Sequence, residues 1–288
     1  MRTQLIGKIE FDQVRLSADL DRSLEVTYAE PYDEFACGRP WKSVMLLAPG
    51  GGEGGVLADF DPRRPSAFTK AGEHLPYIQE IIRDNFAMEH VTFARLVALT
   101  DGVLVPHCDY VEMSTDVERQ RIAHRVHIVL STSESAKFNE TDSVYRMREG
   151  EIWAIDVTRP HSAGVIDNTR RVHLLVDLAY VDDAADLFTF DADLSGNFPQ
   201  ANICDRPTLS DAEREGILSM SSVIDEENFM QVMGLVVRKH YRNDGGPDFV
   251  WRSMNEIAER SGNSTIVKMV SDLYRHTNIV RIEGAHRK

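Results

Sequence analysis

The fold of this chain is decided by a strand-like stretch at residues 171–178, Arg-Val-His-Leu-Leu-Val-Asp-Leu. Side chains of a β-strand alternate between two faces, so one face carries Arg171, His173 and Asp177 and the other carries only valine and leucine. A buried cation or imidazole without a partner is costly, so an anionic group should meet the polar face. The stretch therefore predicts a sheet with one ordinary apolar face and one polar face.

Similar strand-like runs precede this stretch along the chain. They lie at residues 91–99, 102–105, 125–130 and 152–157, and turn-forming residues such as Thr100-Asp101-Gly102 and Arg148-Glu149-Gly150 separate them. Many short strands at such spacing are typical of an antiparallel sandwich or jelly roll. We therefore predict a mostly β core of the jelly-roll type, also called a double-stranded β-helix.

The chain changes character after a linker with two prolines at residues 197–207. A capping box, Ser210-Asp211-Ala212-Glu213, is followed by apolar residues at helical spacing. Helical patterns also precede the strands, at residues 13–24 and 75–86. These boundaries predict a double-stranded β-helix domain with N-terminal helices at residues 1–200 and an α-helical domain at residues 205–288.

Composition narrows the classes of partner. The 288 residues include 32 Lys and Arg against 46 Asp and Glu, a formal net charge of −14. Contacts to a phosphate backbone need a basic surface, so we expect no nucleic-acid partner. The sequence contains no run of 18 apolar residues, the length that a membrane-spanning helix needs. Its three cysteines are too few and too scattered for a disulfide framework. We expect a cytoplasmic protein with reduced thiols, and the sequence leaves a homodimer open.

The tripeptide His107-Cys108-Asp109 follows the run at residues 102–105. In extended backbone His107 and Asp109 point the same way, so an imidazole and a carboxylate can chelate one ion. His161, at a strand-to-loop junction after residues 152–157, is the best candidate for a third ligand. Two His and one carboxylate form the facial triad that binds Fe(II) and leaves coordination positions open.

Two other classes of protein compete with an iron enzyme. A zinc-type hydrolase would use three protein ligands plus water equally well. A non-catalytic β-sandwich binding module would need no buried cations on its strands. Neither alternative gives a reason for Arg171 on the polar face of its strand.

Two strands carry the same pattern, Arg125-Val126-His127 and Arg171-Val172-His173. A 2-oxoglutarate molecule would meet the need for an anion, because its 2-oxo acid end chelates iron and its distal carboxylate requires a cation some carbons away. The planar guanidinium of Arg171 suits that carboxylate. We therefore expect Fe(II) with 2-oxoglutarate and O2 as co-substrates.

The sequence resembles the bacterial free L-proline hydroxylases, the cis-3- and cis-4-hydroxylases among the Fe(II)/2-oxoglutarate-dependent dioxygenases. Their sheet domain is akin to that of the aspartyl/asparaginyl β-hydroxylases. The resemblance includes residues 6–13, 32–38, 75–77, 150–156, 161–164 and 216–218. It implies His107, Asp109 and His161 as iron ligands and Arg171 as the partner of the distal carboxylate of 2-oxoglutarate.

The resemblance also implies residues for the substrate. Arg125 and His127 match a family strand that faces co-substrate and amino-acid substrate, so we assign His127 to the co-substrate and Arg125 to the substrate carboxylate. Arg95 is the second candidate for that carboxylate, and Trp41 is a candidate wall for a small apolar ring. The expected reaction is hydroxylation of a free cyclic imino acid, L-proline or L-pipecolate. Hydroxylation of another free amino acid stays open.

Overall fold

The computed structural model describes residues 1–31, 33–61, 63–109 and 124–279. Within these ranges the strands are β1 (Gln4–Lys8), β2 (Ala36–Gly38), β3 (Lys42–Pro49), β4 (Ser66–Phe68), β5 (Val91–Leu99), β6 (Gly102–Leu104), β7 (His124–Ser131), β8 (Ala136–Glu140), β9 (Ser143–Tyr145), β10 (Glu151–Ile155), β11 (His161–Val165) and β12 (Arg171–Leu178). The helices are α1 (Gln13–Arg22), α2 (Lys70–Glu73), α3 (Pro76–Asn85), α4 (Asp211–Leu218), α5 (Phe229–Arg242), α6 (Phe249–Ser261) and α7 (Ser264–Asn278).

The strands form two antiparallel sheets. The larger sheet has the order β1-β10-β7-β12-β5-β3-β4, and the smaller sheet has the order β2-β6-β11-β8-β9. From β5 to β12 the chain crosses repeatedly between the sheets, and β12 lies between β5 and β7. Strands that pair are therefore distant in sequence, as in a jelly roll. The predicted double-stranded β-helix core with a C-terminal helical region is confirmed.

Helices cover the outer, apolar face of the larger sheet. Val172, Leu174 and Val176 of β12 belong to one buried cluster with Ile78 and Ile82 of α3. Helix α3 can supply such contacts because its apolar residues recur every three or four positions. The packing takes up one face of β12, so its polar face is turned toward the space between the sheets.

The C-terminal helices cover the outer face of the smaller sheet. Val103 of β6 and Met233 of α5 lie in one buried cluster. Gly164 of β11 allows a close approach of α5, because a Cβ at this position would stand 2.7 Å from Cε2 of Tyr241. The Tyr241 hydroxyl shares a 2.7 Å hydrogen bond with Oγ of Ser162. Helix α5 is thereby held against β11.

Two strands differ from the sequence prediction. Strand β3 lies in a stretch predicted to be rich in loops, and its residues 43–49 are all buried, so it shows a continuous apolar run without alternation. The sequence places His161 at a strand-to-loop junction, whereas the structure makes it the first residue of β11. The sequence of β11, His-Ser-Ala-Gly-Val, has little β-propensity, and pairing with β6 and β8 imposes its conformation.

The division of the chain into a β-helix domain at residues 1–200 and an α-helical domain at residues 205–288 stays a prediction.

Candidate active site

The three residues predicted as metal ligands lie together beside the start of β11. The candidate ligand atoms of His107, Asp109 and His161 all lie within 4.8 Å of one another. Nε2 of His107 is 3.7 Å from Oδ1 of Asp109, and Nε2 of His161 is 4.0 Å from Oδ2 of the same carboxylate. Atoms at these separations can bind one ion at distances of about 2 Å each.

Backbone carbonyls fix the orientation of both histidine rings. Nδ1 of His107 is 2.7 Å from the carbonyl oxygen of Val105, and Nδ1 of His161 is 2.9 Å from that of Arg159. A carbonyl only accepts, so each Nδ1 carries the proton and donates it, and each Nε2 keeps its lone pair. Neutral imidazoles with Nε2 lone pairs beside Asp109 are what a metal ion requires.

Backbone pairing holds the segments that carry the ligands. His107 and His161 form an antiparallel bridge with N–H···O distances of 2.9 and 2.8 Å. The N–H of Asp109 donates to the carbonyl of Val157 at 2.8 Å, and the N–H of Cys108 donates to the carbonyl of Thr277 on α7 at 2.9 Å. The ligand set is therefore built on hydrogen-bonded backbone, which limits its freedom before any ion binds.

Arg125, the predicted partner of the substrate carboxylate, is engaged by two carboxylates of the protein. Its Nε donates to Oδ1 of Asp177 at 2.6 Å, and its Nη1 forms an ion pair with Oδ2 of Asp109. Burial lowers the pKa of Arg125, but the charges of Asp177 and Asp109 outweigh burial and raise the pKa above its usual value. Arg125 therefore connects a metal ligand to the interior of the sheet, and its substrate role stays a prediction.

Arg95, the second residue predicted for the substrate carboxylate, lies near Asp177, and Trp41, the predicted wall for the ring, lies beside Arg95. Nη2 of Arg95 is 3.7 Å from Oδ2 of Asp177, and the guanidinium carbon of Arg95 lies 6.0 Å from the centre of the Trp41 ring. Arg95 is buried, and Trp41 packs partly buried against the cluster between the sheets. Asp177 thus has two cations beside it, Arg95 and Arg125, and one of them, Arg95, lies beside an aromatic ring.

Arg171, the predicted partner of the co-substrate carboxylate, forms no ion pair with any carboxylate in the described ranges. Its Nη2 donates to Nδ1 of His173 at 3.0 Å. Burial lowers the pKa of Arg171 to about 10, opposed only by Tyr241 and Tyr145. A buried guanidinium without a carboxylate is costly, so this position favours an anionic ligand.

Other polar groups near Arg171 also lack partners. Nε2 of His173 and the hydroxyl of Tyr145 are buried without a hydrogen bond to any residue that the structure describes. The rings of His127 and His173 meet edge to face with centres 5.7 Å apart. Burial first, and then the charge of Arg171, hold the pKa of both histidines well below the usual value. Neutral donors beside a cation fit the distal carboxylate of 2-oxoglutarate.

Asp177 and Phe138 belong to the site, although the sequence prediction of site residues does not include them. Asp177 lies between two arginines, and strand alternation already put it on the polar face with Arg171, so that signal could have identified it. Phe138 has no such signal. Its ring stacks on His161 with centres 5.9 Å apart and meets His127 edge to face at 5.9 Å, and these contacts depend on the pairing of the smaller sheet.

Two family models cover most of the chain. The model described as aspartyl/asparaginyl beta-hydroxylase matches residues 8–180, and the model described as L-proline 3-hydroxylase, C-terminal, matches residues 184–283. The first spans the β-core with all three candidate metal ligands. The second spans the C-terminal helices.

Individual relatives match over nearly their whole length. L-proline cis-3-hydroxylase 1 of a Streptomyces species is 34% identical over 93% of this chain and 92% of that protein. L-proline cis-4-hydroxylase of Rhizobium meliloti (strain 1021) is 28% identical over 96% of this chain and 95% of that protein. The resemblance inferred from sequence motifs is confirmed. The chain belongs to the bacterial L-proline hydroxylase family, in which an aspartyl/asparaginyl β-hydroxylase domain precedes an L-proline 3-hydroxylase C-terminal region.

Proposed function

We propose that this protein is an Fe(II)/2-oxoglutarate-dependent dioxygenase that hydroxylates a free cyclic imino acid, L-proline or L-pipecolate. The reaction joins the imino acid, 2-oxoglutarate and O2 and releases the hydroxy-imino acid, succinate and CO2. The observation that carries the proposal is the His107, Asp109 and His161 ligand set in the same jelly roll as Arg171, a buried cation that pairs with no carboxylate among the described residues. The names of the relatives support the substrate class.

The ligand set would hold Fe(II) through two neutral imidazoles and one carboxylate. The carbonyls of Val105 and Arg159 keep His107 and His161 in the tautomer that leaves Nε2 for the metal. Arg125 binds one oxygen of Asp109 and so restrains the carboxylate. When bound, iron with 2-oxoglutarate and O2 supplies the oxidation of a C–H bond, and the protein supplies position and surroundings.

The distal carboxylate of the co-substrate would bind Arg171, with His127 on the neighbouring strand. Phe138, Trp153 and Leu99 belong to the buried apolar cluster between the sheets. Apolar surroundings keep water away from this cation and strengthen its attraction for a carboxylate. The carboxylate would in turn offset the cost of burying Arg171.

The imino acid would bind around the carboxylate that Arg95 and Arg125 share. Arg125 and Arg95 are the candidate partners of its carboxylate, and Trp41 is the candidate wall for its ring. Asp177 holds both arginines, so their positions depend on a buried group that need not touch the substrate. The ring carbon that is hydroxylated can be identified by NMR of the product.

A mass-spectrometric screen tests the proposed function. The protein is incubated in air with Fe(II), 2-oxoglutarate and one free amino acid from a panel that includes L-proline, L-pipecolate and their ring homologues. We expect one imino acid to gain an oxygen atom in step with succinate. Hydroxylation of an open-chain amino acid alone would contradict the imino-acid class, and turnover that needs neither Fe(II) nor 2-oxoglutarate would favour a zinc-type hydrolase.

The variant Asp109→Ala is the decisive control for the metal site. It should lose most turnover at saturating iron, because losing one of three ligands weakens iron binding and removes the carboxylate that Arg125 meets. Asp182→Ala, at an exposed aspartate, serves as the matched substitution. Full activity in Asp109→Ala would contradict the assigned ligand set.

The cellular setting forms part of the same proposal. We place the enzyme in the cytoplasm, where the thiols of Cys37, Cys108 and Cys204 stay reduced. Among the described residues, every helix is too short or too polar to cross a membrane. The net charge of −14 supports a small-molecule substrate over a nucleic acid. Light scattering of the purified protein decides between a monomer and a homodimer.

A further inference from the structure

His173 has a hydrogen-bonding state that the geometry determines. Its Nδ1 lies 3.0 Å from Nη2 of Arg171. A guanidinium has only donors, so Nδ1 must accept, and in a neutral ring the proton then sits on Nε2. His173 is 1% exposed, and its Nε2 has no hydrogen-bond partner among the described residues. His173 therefore presents a buried N–H without an acceptor.

The location of this N–H adds a second observation. Arg171 and His173 line one small pocket together with Phe138 of β8 and with Met147, which follows β9. The ring of Phe138 also stacks on the metal-ligand candidate His161. The pocket therefore lies next to the proposed iron site. Two of its walls are the Arg171 guanidinium and the His173 Nε2–H, which meet no carboxylate and no acceptor, respectively, in the described part of the chain.

An unpartnered imidazole nitrogen does not by itself mark a site, as His240 shows. Nε2 of His240 accepts from Nδ2 of Asn139 at 3.0 Å, and its buried Nδ1 has no hydrogen-bond partner among the described residues. Its neighbour Arg206, however, donates to the backbone carbonyls of His240 and Asn243. His173 differs because its neighbour is Arg171, which still needs an anion.

We propose that His173 is a co-substrate-binding residue whose Nε2–H donates to the distal carboxylate of 2-oxoglutarate while its Nδ1 holds Arg171 in position. This assignment rests on the proposed function and adds a residue that the sequence analysis did not assign. One carboxylate would then accept from the Arg171 guanidinium and from the imidazole together. A hydrogen bond to a charged group is among the stronger ones, so its loss should be measurable as affinity.

Two substitutions separate the roles of the two ring nitrogens. In His173→Asn the amide occupies the region of Nδ1 and can still accept from Arg171, but it does not reach the region of Nε2. In His173→Gln the amide reaches the region of Nε2 and can donate there. His240→Gln is the matched control, since it keeps an acceptor in the region of Nε2, which meets Asn139, and removes the buried Nδ1 that has no partner among the described residues.

The probes are 2-oxoglutarate and 2-oxopentanoate, each titrated anaerobically into the Fe(II) protein while the metal-to-ligand charge-transfer band is followed. Both chelate iron through a 2-oxo acid end, and only 2-oxoglutarate carries a distal carboxylate. We expect His173→Asn to raise the Kd of 2-oxoglutarate about tenfold and to leave that of 2-oxopentanoate unchanged. His173→Gln keeps a donor in the region of Nε2 but loses the Nδ1 acceptor of Arg171, so it should raise the Kd of 2-oxoglutarate less than His173→Asn does. His240→Gln should leave that Kd close to the wild-type value.

The outcomes separate this inference from the proposed function. Equal weakening of both probes in His173→Asn, or no weakening of either, would overturn the role of His173. A wild-type protein that forms no charge-transfer band with 2-oxoglutarate would overturn the proposed function itself. If the variants do not fold, NMR of the wild-type protein loaded with Zn(II) decides: binding of 2-oxoglutarate, but not of 2-oxopentanoate, should protect one histidine Nε2 proton from exchange with water. Absence of that protection would also overturn the inference.

Discussion

The strands β7 and β12 lie side by side and carry the same tripeptide, Arg-Val-His, yet the two arginines have opposite surroundings. Arg125 on β7 pairs with Asp177 and Asp109, whereas the Arg171 side chain on β12 pairs with no carboxylate among the described residues and donates to the ring of His173. Burial lowers the pKa of both arginines. Paired carboxylates reverse that effect at Arg125, while the pKa of Arg171 falls to about 10.

The cause of this difference is strand register rather than local sequence. In the pairing of β7 with β12, Arg125 lies opposite Asp177. Arg171 lies opposite Leu99 of β5, six positions along the same strand from Asp177. A cation that the fold neutralises serves the architecture of the metal site, and a cation that the fold leaves unpaired is available to a ligand. Substitutions of Arg125 and Arg171 can test this difference in role.

The largest effect is expected from removing the paired arginine. Arg125→Gln should lower the free energy of unfolding of the metal-free protein by about 3–5 kcal/mol, because it leaves the buried carboxylate of Asp177 with Arg95 as its remaining cation. Urea denaturation measures the change. Arg125→Lys keeps the charge and should lose less. A loss below about 1 kcal/mol in Arg125→Gln would show that the pair is not structural.

Removing the unpaired arginine should instead affect the co-substrate. Arg171→Met should raise the KM for 2-oxoglutarate about tenfold or more, since a hydrogen bond to a charged group contributes roughly 1.5–3 kcal/mol. The preceding residue offers a matched control, because Arg170 donates to Ser23 and Tyr28 on another face. Arg170→Met should keep the wild-type KM. An unchanged KM in Arg171→Met would transfer the carboxylate-binding role to Arg125.

The histidines of the two tripeptides, His127 and His173, both have a lowered pKa, and the pH dependence of stability can measure this effect for His173. Burial first, and then Arg171, keep the pKa of His173 well below 6.5 in the folded protein. The unfolded chain takes up this proton near pH 6.5 and the folded protein does not, so stability falls as the pH drops below that value. His173 alone should contribute a loss of about 1.4 kcal/mol between about pH 7.5 and pH 5.5.

Urea denaturation of wild type and His173→Gln at the two pH values isolates this contribution. The pH-dependent loss should be smaller in the variant by the amount expected for one histidine, because glutamine does not titrate. The free energy at the higher pH serves as the reference for each protein. An identical pH dependence in both proteins would mean that folding does not lower the pKa of His173, which would contradict its burial beside the charge of Arg171.

Strand alternation and motif spacing account for much of the site. They put Arg171, His173 and Asp177 on one polar face and indicated His107, Asp109 and His161 as ligand candidates, and the structure brings these three residues together. Alternation describes single strands, however. It carries no information on which strands pair or in what register, so the bonds from Arg125 to its two carboxylates had no sequence signal.

The smallest effect expected is a gain in stability from removing Arg171. Without co-substrate, the folded protein buries this guanidinium against His173 and bears the cost of desolvation, whereas the unfolded chain leaves it in water. Methionine has a similar length, carries no charge and adapts to irregular space. Arg171→Met should therefore raise the free energy of unfolding of the apoprotein by about 1 kcal/mol, in the range found when a functional site is relieved of such a cost.

This gain should depend on the ligand, which makes it the sharpest contrast with Arg125. Fe(II) and 2-oxoglutarate under anaerobic conditions bind the folded state, and the stabilisation grows with affinity, so they should stabilise the wild type more than Arg171→Met. The order of stability should then reverse, with wild type above Arg171→Met, while Arg125→Gln should stay below wild type in both conditions. If Arg171→Met lost stability in the apoprotein, Arg171 would be part of the architecture after all. The two tripeptides would then differ in their partners but not in their purpose.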